Sequence, residues 1–234
     1  MKLSAIQKFT LLDYPGKVAC IAFTPGCDLR CRFCHNPEFV LPERLCALAA
    51  SFISEEHFFR FLAERRGLLE GVVVTGGEPT VWKDLPEFLA QIKALGFATK
   101  LDTNGNNPVA LARVIDRGLV DYIAMDVKTS LADYPALVGS NVRPEHIRES
   151  IALIRASGVE YEFRTTLIRE HHTEAVLEAM RELLSGATQI YFQTFRPEHT
   201  LDPAYAGFHG FSLTEMEVIA ERFGSPGQPA GIRV

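Results

Sequence analysis

Along the chain, short and nearly continuous apolar runs alternate with segments whose apolar residues recur at helical spacing. Runs that are apolar on both faces are typical of strands buried in a parallel sheet that helices cover. Six runs carry this signature, and a helical segment follows each of them: residues 18–23, 71–75, 98–102, 122–126, 161–165 and 189–194.

The helical segments have recognisable ends. Asp84 with Glu87 predicts a helix start, and Gly96 predicts the end of the same helix. Ser212 with Glu215 predicts the start of the last helix, which should end near Gly224. Similar signals predict the remaining helices over residues 54–67, 107–118, 144–158 and 173–186.

Six strand–helix units predict right-handed crossovers and therefore a parallel sheet. Such a sheet either curls toward a barrel or opens into a doubly wound layer; six units are too few for a complete barrel of eight. We expect an α/β fold, an incomplete (βα)6 TIM-like barrel with parallel strands. No linker-like tract divides the chain before SPGQPAG, which predicts a single domain over residues 1–234 with a short C-terminal tail from about residue 224.

Composition narrows the classes of function. The chain has 234 residues, of which 47% are hydrophobic and 23% charged, as expected for a globular domain. No apolar stretch is long enough for a membrane helix, and the N-terminus lacks the order of a secretory signal, so we expect a cytoplasmic protein without a membrane partner. The net charge of −5 gives no basic surplus and argues against nucleic acid as a partner.

Three cysteines stand out among the five. Cys27, Cys31 and Cys34 are spaced C-x3-C-x2-C in a loop, residues 24–37, that follows the first predicted strand. Three thiolates at this spacing can hold three irons of a cubane cluster and leave the fourth iron open to an exogenous ligand. Structural zinc is the weaker alternative, because no second ligand pair exists. Cys20 and Cys46 lie in apolar stretches and are expected to be buried.

The sequence GGEPT follows the second predicted strand. Without β-carbons at Gly76 and Gly77, a ligand could approach the backbone closely, and free carbonyls with the Glu78 carboxylate could receive an ammonium group. The alternative is a tight turn without a ligand.

Further polar residues fall at later strand ends. Asp102, Thr103 and Asp126 could hold a hard cation, and Arg164 could clamp a carboxylate; Lys128 follows Asp126. Their ordinary alternatives are turn capping and solvated ion pairs. Trp82, His57, His171 and His172 receive no functional role, since a lone Trp usually packs and unpatterned histidines are more often solvated.

These motifs resemble the radical S-adenosylmethionine (SAM) superfamily. CDLRCRFC, with Phe33 before its last cysteine, is similar to the cluster loop of that family, and GGEP to its SAM-amine motif. DYPGKVACIAFTPGCDLRCRFCHNPE, LDTNG and MDVK resemble the activating enzymes of glycyl-radical proteins. Within them, IQKFTLLDYPGKV is most similar to the activators of anaerobic ribonucleoside-triphosphate reductase.

The resemblance implies a role for each of these residues. Cys27, Cys31 and Cys34 would hold a [4Fe–4S] cluster whose open iron binds SAM. The SAM amine would meet the GGE turn (Gly76, Gly77 and Glu78). A monovalent cation beside the SAM carboxylate would be held by Asp102, Thr103 and Asp126, with Lys128 in the same D-x-K motif and Arg164 near the SAM and substrate site.

The implied activity is reductive SAM cleavage to a 5′-deoxyadenosyl radical that forms a glycyl radical on a partner enzyme. That partner would be anaerobic ribonucleotide reductase, with a flavodoxin or ferredoxin as electron donor. The alternatives are an activator of pyruvate formate-lyase or another glycyl-radical enzyme, a radical SAM enzyme acting on a small metabolite, and a three-cysteine metal-binding or electron-transfer module. Residues 196–211 match no motif.

Overall fold

The computed structural model describes residues 1–139, 141–198, 200–224 and 230–233. It has an α/β fold whose strands form a mostly parallel sheet, ordered β1 to β8 as along the chain. The strands are β1 (Ala5–Thr10), β2 (Ala19–Thr24), β3 (Gly71–Gly76), β4 (Ala98–Thr103), β5 (Tyr122–Asp126), β6 (Glu160–Leu167), β7 (Ile190–Thr194) and β8 (Gly231–Arg233). The predicted fold class is therefore confirmed.

The helices alternate with the strands, as the sequence predicts. They are α1 (Pro42–Leu48), α2 (Glu55–Glu64), α3 (Leu85–Ala94), α4 (Pro108–Asp116), α5 (Tyr134–Val138), α6 (Pro144–Ala156), α7 (Glu174–Leu183) and α8 (Leu213–Phe223). Within the described part of the chain, no helix is long and apolar enough to cross a lipid bilayer.

The described chain divides into two compact units. The first comprises Met1–Asp28, Asn36–Thr103 and Val109–Ile123; the second comprises Leu29–His35, Asn104–Pro108 and the described residues from Ala124 onward.

In the first unit, three neighbouring parallel strands lead into segments of the candidate site. Strand β2 pairs in parallel with β3, which pairs in parallel with β4. All but one residue of β2 are buried, as its continuous apolar run predicts. Tyr14 belongs to a buried cluster that includes Ile21, Val73 and Tyr122. A β-carbon at Gly71 would lie 2.9 Å from the Tyr14 ring, so this glycine makes room for the aromatic side chain.

In the second unit, β6, β7 and β8 are parallel neighbours. Phe163, Leu167 and Phe192 are fully buried, and the Phe192 ring meets the edge of Phe223 on α8 with centroids 4.9 Å apart. Helix α6 buries the face that its apolar spacing predicts, including Ile147, Ile151 and Ile154.

Two strands lie outside the six predicted units. Strand β1 pairs antiparallel with β2, and much of it is exposed because it is an edge strand. Strand β8 pairs with β7 inside the segment predicted as a C-terminal tail. Residues 225–229 and 234 of that predicted tail lie outside the described part of the chain.

Candidate active site

The first half of the cysteine loop is fixed by backbone contacts in the first unit. The Gly26 N–H donates to the Phe39 carbonyl at 2.8 Å, and the Trp82 indole N–H donates to the Pro25 carbonyl at 2.8 Å. Cys27, which follows directly, is half-buried. Trp82 therefore does more than pack, because its polar edge holds the loop beside the first cysteine.

Gly76 and Gly77 are required by the close approach of two loops. The Gly77 N–H donates to the Thr24 carbonyl, and the Glu78 N–H donates to the Gly26 carbonyl, both at 2.8 Å. A β-carbon on Gly77 would overlap the Gly26 carbonyl oxygen. Gly76 has a φ of +117°, which side chains rarely adopt, and a β-carbon there would overlap the Thr24 backbone. The sequence GGE thus docks against the start of the cysteine loop.

Glu78 lies in the interior and is used as an acceptor. It is 1% exposed, and its Oε1 accepts from the Thr80 N–H at 3.1 Å, the Thr80 hydroxyl at 2.5 Å and the Thr103 hydroxyl at 2.8 Å. These bonds satisfy a buried carboxylate oxygen. The structure thus joins Glu78 and Thr103 by a hydrogen bond that the sequence analysis did not predict.

Asp102, at the end of β4, pairs with an internal lysine. The Lys100 ammonium lies 2.6 Å from its carboxylate, and the lysine side chain is almost fully buried. The ammonium also lies 5.8 Å from the centre of the Tyr122 ring. Asp102 therefore compensates a buried cation within the first unit.

The second half of the cysteine loop belongs to the second unit. Its entry is fixed by the Arg30 N–H, which donates to the Val138 carbonyl at 2.8 Å. Cys31 and Phe33 are buried and Cys34 is half-buried. The Cys34 N–H donates to the Cys31 carbonyl at 3.0 Å, which forms a turn between the two cysteines.

The segment after β7 holds the same part of the loop, although its sequence matched no motif. The His35 ring nitrogen Nε2 lies 2.8 Å from the Arg196 carbonyl oxygen, and the His35 ring stacks on Phe195. The Asp202 N–H donates to the Arg32 carbonyl at 2.9 Å. His35 and Arg196 also line a cavity of about 470 Å³, whose other lining residues are Thr166, Gln193, Thr194, Glu198 and Arg233.

Asp126, Lys128 and Arg164 form a cluster of alternating charge in the second unit. Asp126 accepts from Arg164 Nε at 2.9 Å and lies 3.3 Å from the Lys128 ammonium. Burial favours a raised pKa for Asp126, but Arg164 and then Lys128 outweigh it and lower that pKa to about 2. Burial alone would lower the pKa of Lys128, whereas Asp126 and Cys31 raise it above its usual value. All three side chains are therefore charged at neutral pH.

The Lys128 ammonium also faces the cysteine loop. It lies 5.8 Å from the centre of the Phe33 ring, which is within cation–π range. Burial raises the pKa of the Cys31 thiol to about 11, and Lys128 is the largest influence in the opposite direction. This cation would favour thiolates in its neighbourhood.

His172 was expected to be solvated, and that expectation is wrong. It is 2% exposed, and its Nε2 lies 3.0 Å from the Lys128 carbonyl oxygen, while its Nδ1 accepts from the Ile168 N–H at 2.9 Å. Because the carbonyl can only accept, Nε2 carries the proton. The Tyr134 hydroxyl accepts from the Lys128 N–H at 2.9 Å, so His172 and Tyr134 together fix the Lys128 backbone.

The two remaining cysteines differ. Cys20 is fully buried, as predicted, and burial raises its pKa to about 12. Cys46 lies on α1 and is exposed, so the prediction that it is buried is wrong. None of the residues of helix α1 is buried, so the apolar residues around Cys46 do not form part of a core.

Among the residues that the structure describes, no three His, Cys, Asp or Glu side chains are grouped as the ligands of a single metal ion. A cubane cluster makes a different demand, because each of its thiolates binds a different iron.

Proteins of similar sequence are found among known activating enzymes. A Methanocaldococcus jannaschii protein named as a candidate glycyl-radical enzyme activating enzyme is 28% identical over 208 residues, which is 87% of this chain and 83% of that protein. The pyruvate formate-lyase-activating enzyme of Listeria monocytogenes is 31% identical over 135 residues, 54% of this chain and 53% of that enzyme.

A solved structure gives the same fold. A domain of pyruvate-formate lyase-activating enzyme from Bacteroides vulgatus superposes with a TM-score of 0.55 at 17% identity. The match covers 70% of this chain and 99% of that domain. The family model of the Radical SAM superfamily matches residues 21–183. Because that match spans more than half of the chain and contains all three clustered cysteines, this protein belongs to the radical SAM superfamily.

Proposed function

We propose that this protein is a SAM-dependent activating enzyme that forms a glycyl radical on a partner enzyme. The observation that carries the proposal is that the start of the three-cysteine loop docks against the GGE turn, in a chain that aligns over 87% of its length with a relative named for glycyl-radical activation. Members of the radical SAM superfamily use a [4Fe–4S] cluster and SAM.

The chemistry of the donor set fits that cluster. Three thiols lie within eight consecutive residues, and each can take one iron of a cubane so that one iron stays open. The Lys128 ammonium near Cys31 offsets part of the negative charge that thiolates bring. Cys27, Cys31 and Cys34 would hold the cluster.

The chain's other residues would position SAM. The backbone of Gly76 and Gly77, without β-carbons, would admit the SAM amine. Glu78 would act mainly by shaping this turn, since Thr80 and Thr103 already donate to its carboxylate. Lys128 and Arg164 would face the SAM carboxylate, and Asp126, which both of them contact, would hold a monovalent cation beside it.

A [4Fe–4S] cluster held by Cys27, Cys31 and Cys34 would supply the electron for reductive cleavage of SAM to methionine and a 5′-deoxyadenosyl radical, which would remove a hydrogen atom from a glycine α-carbon of the partner. Glycine suits this transfer because it has no side chain to block approach. The protein's contribution is to orient SAM, to exclude water and to admit the glycyl segment.

For the partner we propose anaerobic ribonucleotide reductase, because IQKFTLLDYPGKV resembles the activators of that enzyme. Pyruvate formate-lyase is the second candidate, since its activating enzymes are among the relatives. A flavodoxin or ferredoxin in the cytoplasm would supply the electron.

The first test is SAM cleavage. After anaerobic reconstitution with iron and sulfide, the reduced protein should release 5′-deoxyadenosine from SAM. Cys31→Ala should abolish the release, whereas Cys46→Ser, a matched change at the exposed cysteine of α1, should leave it unchanged. No release from the wild-type protein would contradict the proposal.

The second test identifies the partner. The reconstituted protein is mixed with anaerobic ribonucleotide reductase or with pyruvate formate-lyase, and the glycyl doublet is recorded by electron paramagnetic resonance. A signal on the reductase supports our assignment, and a signal on the lyase alone contradicts it. Acceleration of SAM cleavage by a small metabolite, with no doublet on either protein, would indicate a small-molecule enzyme instead.

A further inference from the structure

The C-terminal strand β8 brings an arginine against a buried carboxylate. Arg233 lies opposite Gln193 in the β7–β8 register, and its two terminal nitrogens donate to the two Glu162 oxygens at 2.8 and 2.5 Å. Its guanidinium lies 4.0 Å from the centre of the Tyr191 ring. This is the forked geometry that binds a carboxylate most firmly, and the ring limits movement of the guanidinium.

Glu162 links this arginine to the candidate SAM site. Its side chain is 0% exposed, and it stands two residues before Arg164 on β6, so both side chains point to the same face of the strand. Arg164 Nη1 lies 4.0 Å from Glu162, while Arg164 Nε lies 2.9 Å from Asp126. One guanidinium therefore lies between two carboxylates.

The balance between those carboxylates depends on Arg233. A buried carboxylate is costly unless cations and hydrogen bonds compensate it. The two short bonds from Arg233 supply that compensation to Glu162, so Arg164 can direct its Nε toward Asp126. Without Arg233, Glu162 would lose two charge-assisted hydrogen bonds and attract Arg164 more strongly, which would weaken the bond of Arg164 to Asp126.

We propose that Arg233 is a positioning residue for SAM binding, which acts through Glu162 to hold Arg164 on Asp126. The inference rests on the proposed function, because it takes Asp126, Lys128 and Arg164 as the groups that face SAM. It gives strand β8 a role in SAM binding, which is to hold Arg164 in place.

The experiment measures the Kd of SAM for the anaerobically reconstituted full chain by equilibrium dialysis, with iron and sulfide determined for each variant. Arg233→Met removes the fork, and the double variant Glu162→Gln/Arg233→Met also removes the buried charge that would attract Arg164. Arg222→Ala is the matched control, because Arg222 on α8 forms an ion pair with exposed Glu174 at 2.6 Å.

We expect Arg233→Met to raise the Kd about tenfold, the loss typical of a hydrogen bond to a charged group. The double variant should recover most of the wild-type affinity, although it lacks the same arginine. Arg222→Ala should bind as the wild type does. Full iron and sulfide content in Arg233→Met separates positioning from a merely structural role, and recovery in the double variant shows that the lost arginine acts through the Glu162 charge.

Three results overturn the inference. The first is wild-type affinity in Arg233→Met with full cluster content, and the second is a double variant that binds as weakly as the single one. The third is loss of affinity in Arg222→Ala equal to that in Arg233→Met, which would indicate general loosening of the C-terminal region. Failure of the wild-type holoprotein to bind SAM contradicts the proposed function itself, which distinguishes the two failures.

Discussion

At Gly77 the requirement for glycine comes from backbone packing. The atom that a β-carbon would overlap is a carbonyl oxygen in the loop before Cys27, and backbone cannot move aside as a flexible side chain can. We expect Gly77→Ala to lower the free energy of unfolding by about 1–3 kcal/mol, the usual range for overpacking. Urea unfolding of the apoprotein measures this change.

Gly207→Ala is the matched control for Gly77→Ala. Nothing lies within 4 Å of a β-carbon at Gly207, so its unfolding midpoint should stay close to that of the wild type. Equal midpoints for Gly77→Ala and Gly207→Ala would contradict the packing argument.

His172 gives the fold a predictable response to acid. Burial lowers its pKa and outweighs the opposite influence of its hydrogen bonds with the Ile168 and Lys128 backbone. A histidine whose pKa is lower in the folded than in the unfolded chain binds fewer protons when folded, so the free energy of unfolding falls as the pH falls through about 6.5. We expect the wild type to lose stability between pH 7.5 and pH 5.5.

The matched variant is His172→Gln, whose amide can still donate to the Lys128 carbonyl. Urea midpoints at the two pH values should differ less for His172→Gln than for the wild type. His57→Gln, on the exposed face of α2, should keep the wild-type pH dependence. A wild-type slope in His172→Gln would show that other groups cause the acid response.

At the scale of elements, the N-terminal cap of helix α8 should affect the stability of the protein and not its activity. The Ser212 hydroxyl accepts from the Glu215 N–H, and Glu215 accepts from the Ser212 N–H at 2.9 Å, which forms the predicted capping box. Ser212→Ala should cost about 1 kcal/mol of stability, measured by urea unfolding, and leave 5′-deoxyadenosine release per cluster unchanged. Glu221→Ala, exposed on the same helix, is the control and should cost less.

Strands β2, β3, β5 and β7 contain continuous apolar runs, which identify strands buried on both faces. Strands β4 and β6 interrupt such runs with polar residues such as Lys100 and Arg164. Strand β5 has the predicted bounds, and the others differ by one to two residues at an end. Strands β1 and β8 escaped prediction for a physical reason. An edge strand buries little, so AIQKFT has no continuous apolar run, and the three residues of β8 are too few to show a pattern.

The candidate site was predictable where residue type alone carries the chemistry. Three cysteines at cluster spacing and two adjacent glycines at a strand end are visible in the sequence. The bond from Thr103 to Glu78 was not, because it depends on which strand ends meet. The same holds for Arg196 and Asp202, whose backbone groups fix the cysteine loop, since backbone contacts leave no trace in side-chain identity.

At the scale of the whole molecule, cluster binding should couple to folding. A group that binds the folded chain and not the unfolded one stabilises the folded state by mass action, and thiolate ligands lose protons when they bind iron. Burial raises the pKa of Cys31 to about 11, so the protein without iron holds this thiol protonated at neutral pH. Reconstitution must therefore release a proton from a buried group and replace it with a bond to iron.

We expect anaerobic reconstitution to raise the Tm of the wild-type protein, as measured by calorimetry under argon. Cys31→Ala removes one ligand and should lose most of that rise, whereas Cys46→Ser changes an exposed thiol on α1 and should keep it. If reconstitution raised the Tm of Cys31→Ala as much as that of the wild type, iron would be binding elsewhere on the chain, and the cysteine loop would lose its role as the cluster site. A rise that depends on Cys31 and not on Cys46 ties the stabilisation to the loop, because the two variants differ in which thiol is lost and not in how many.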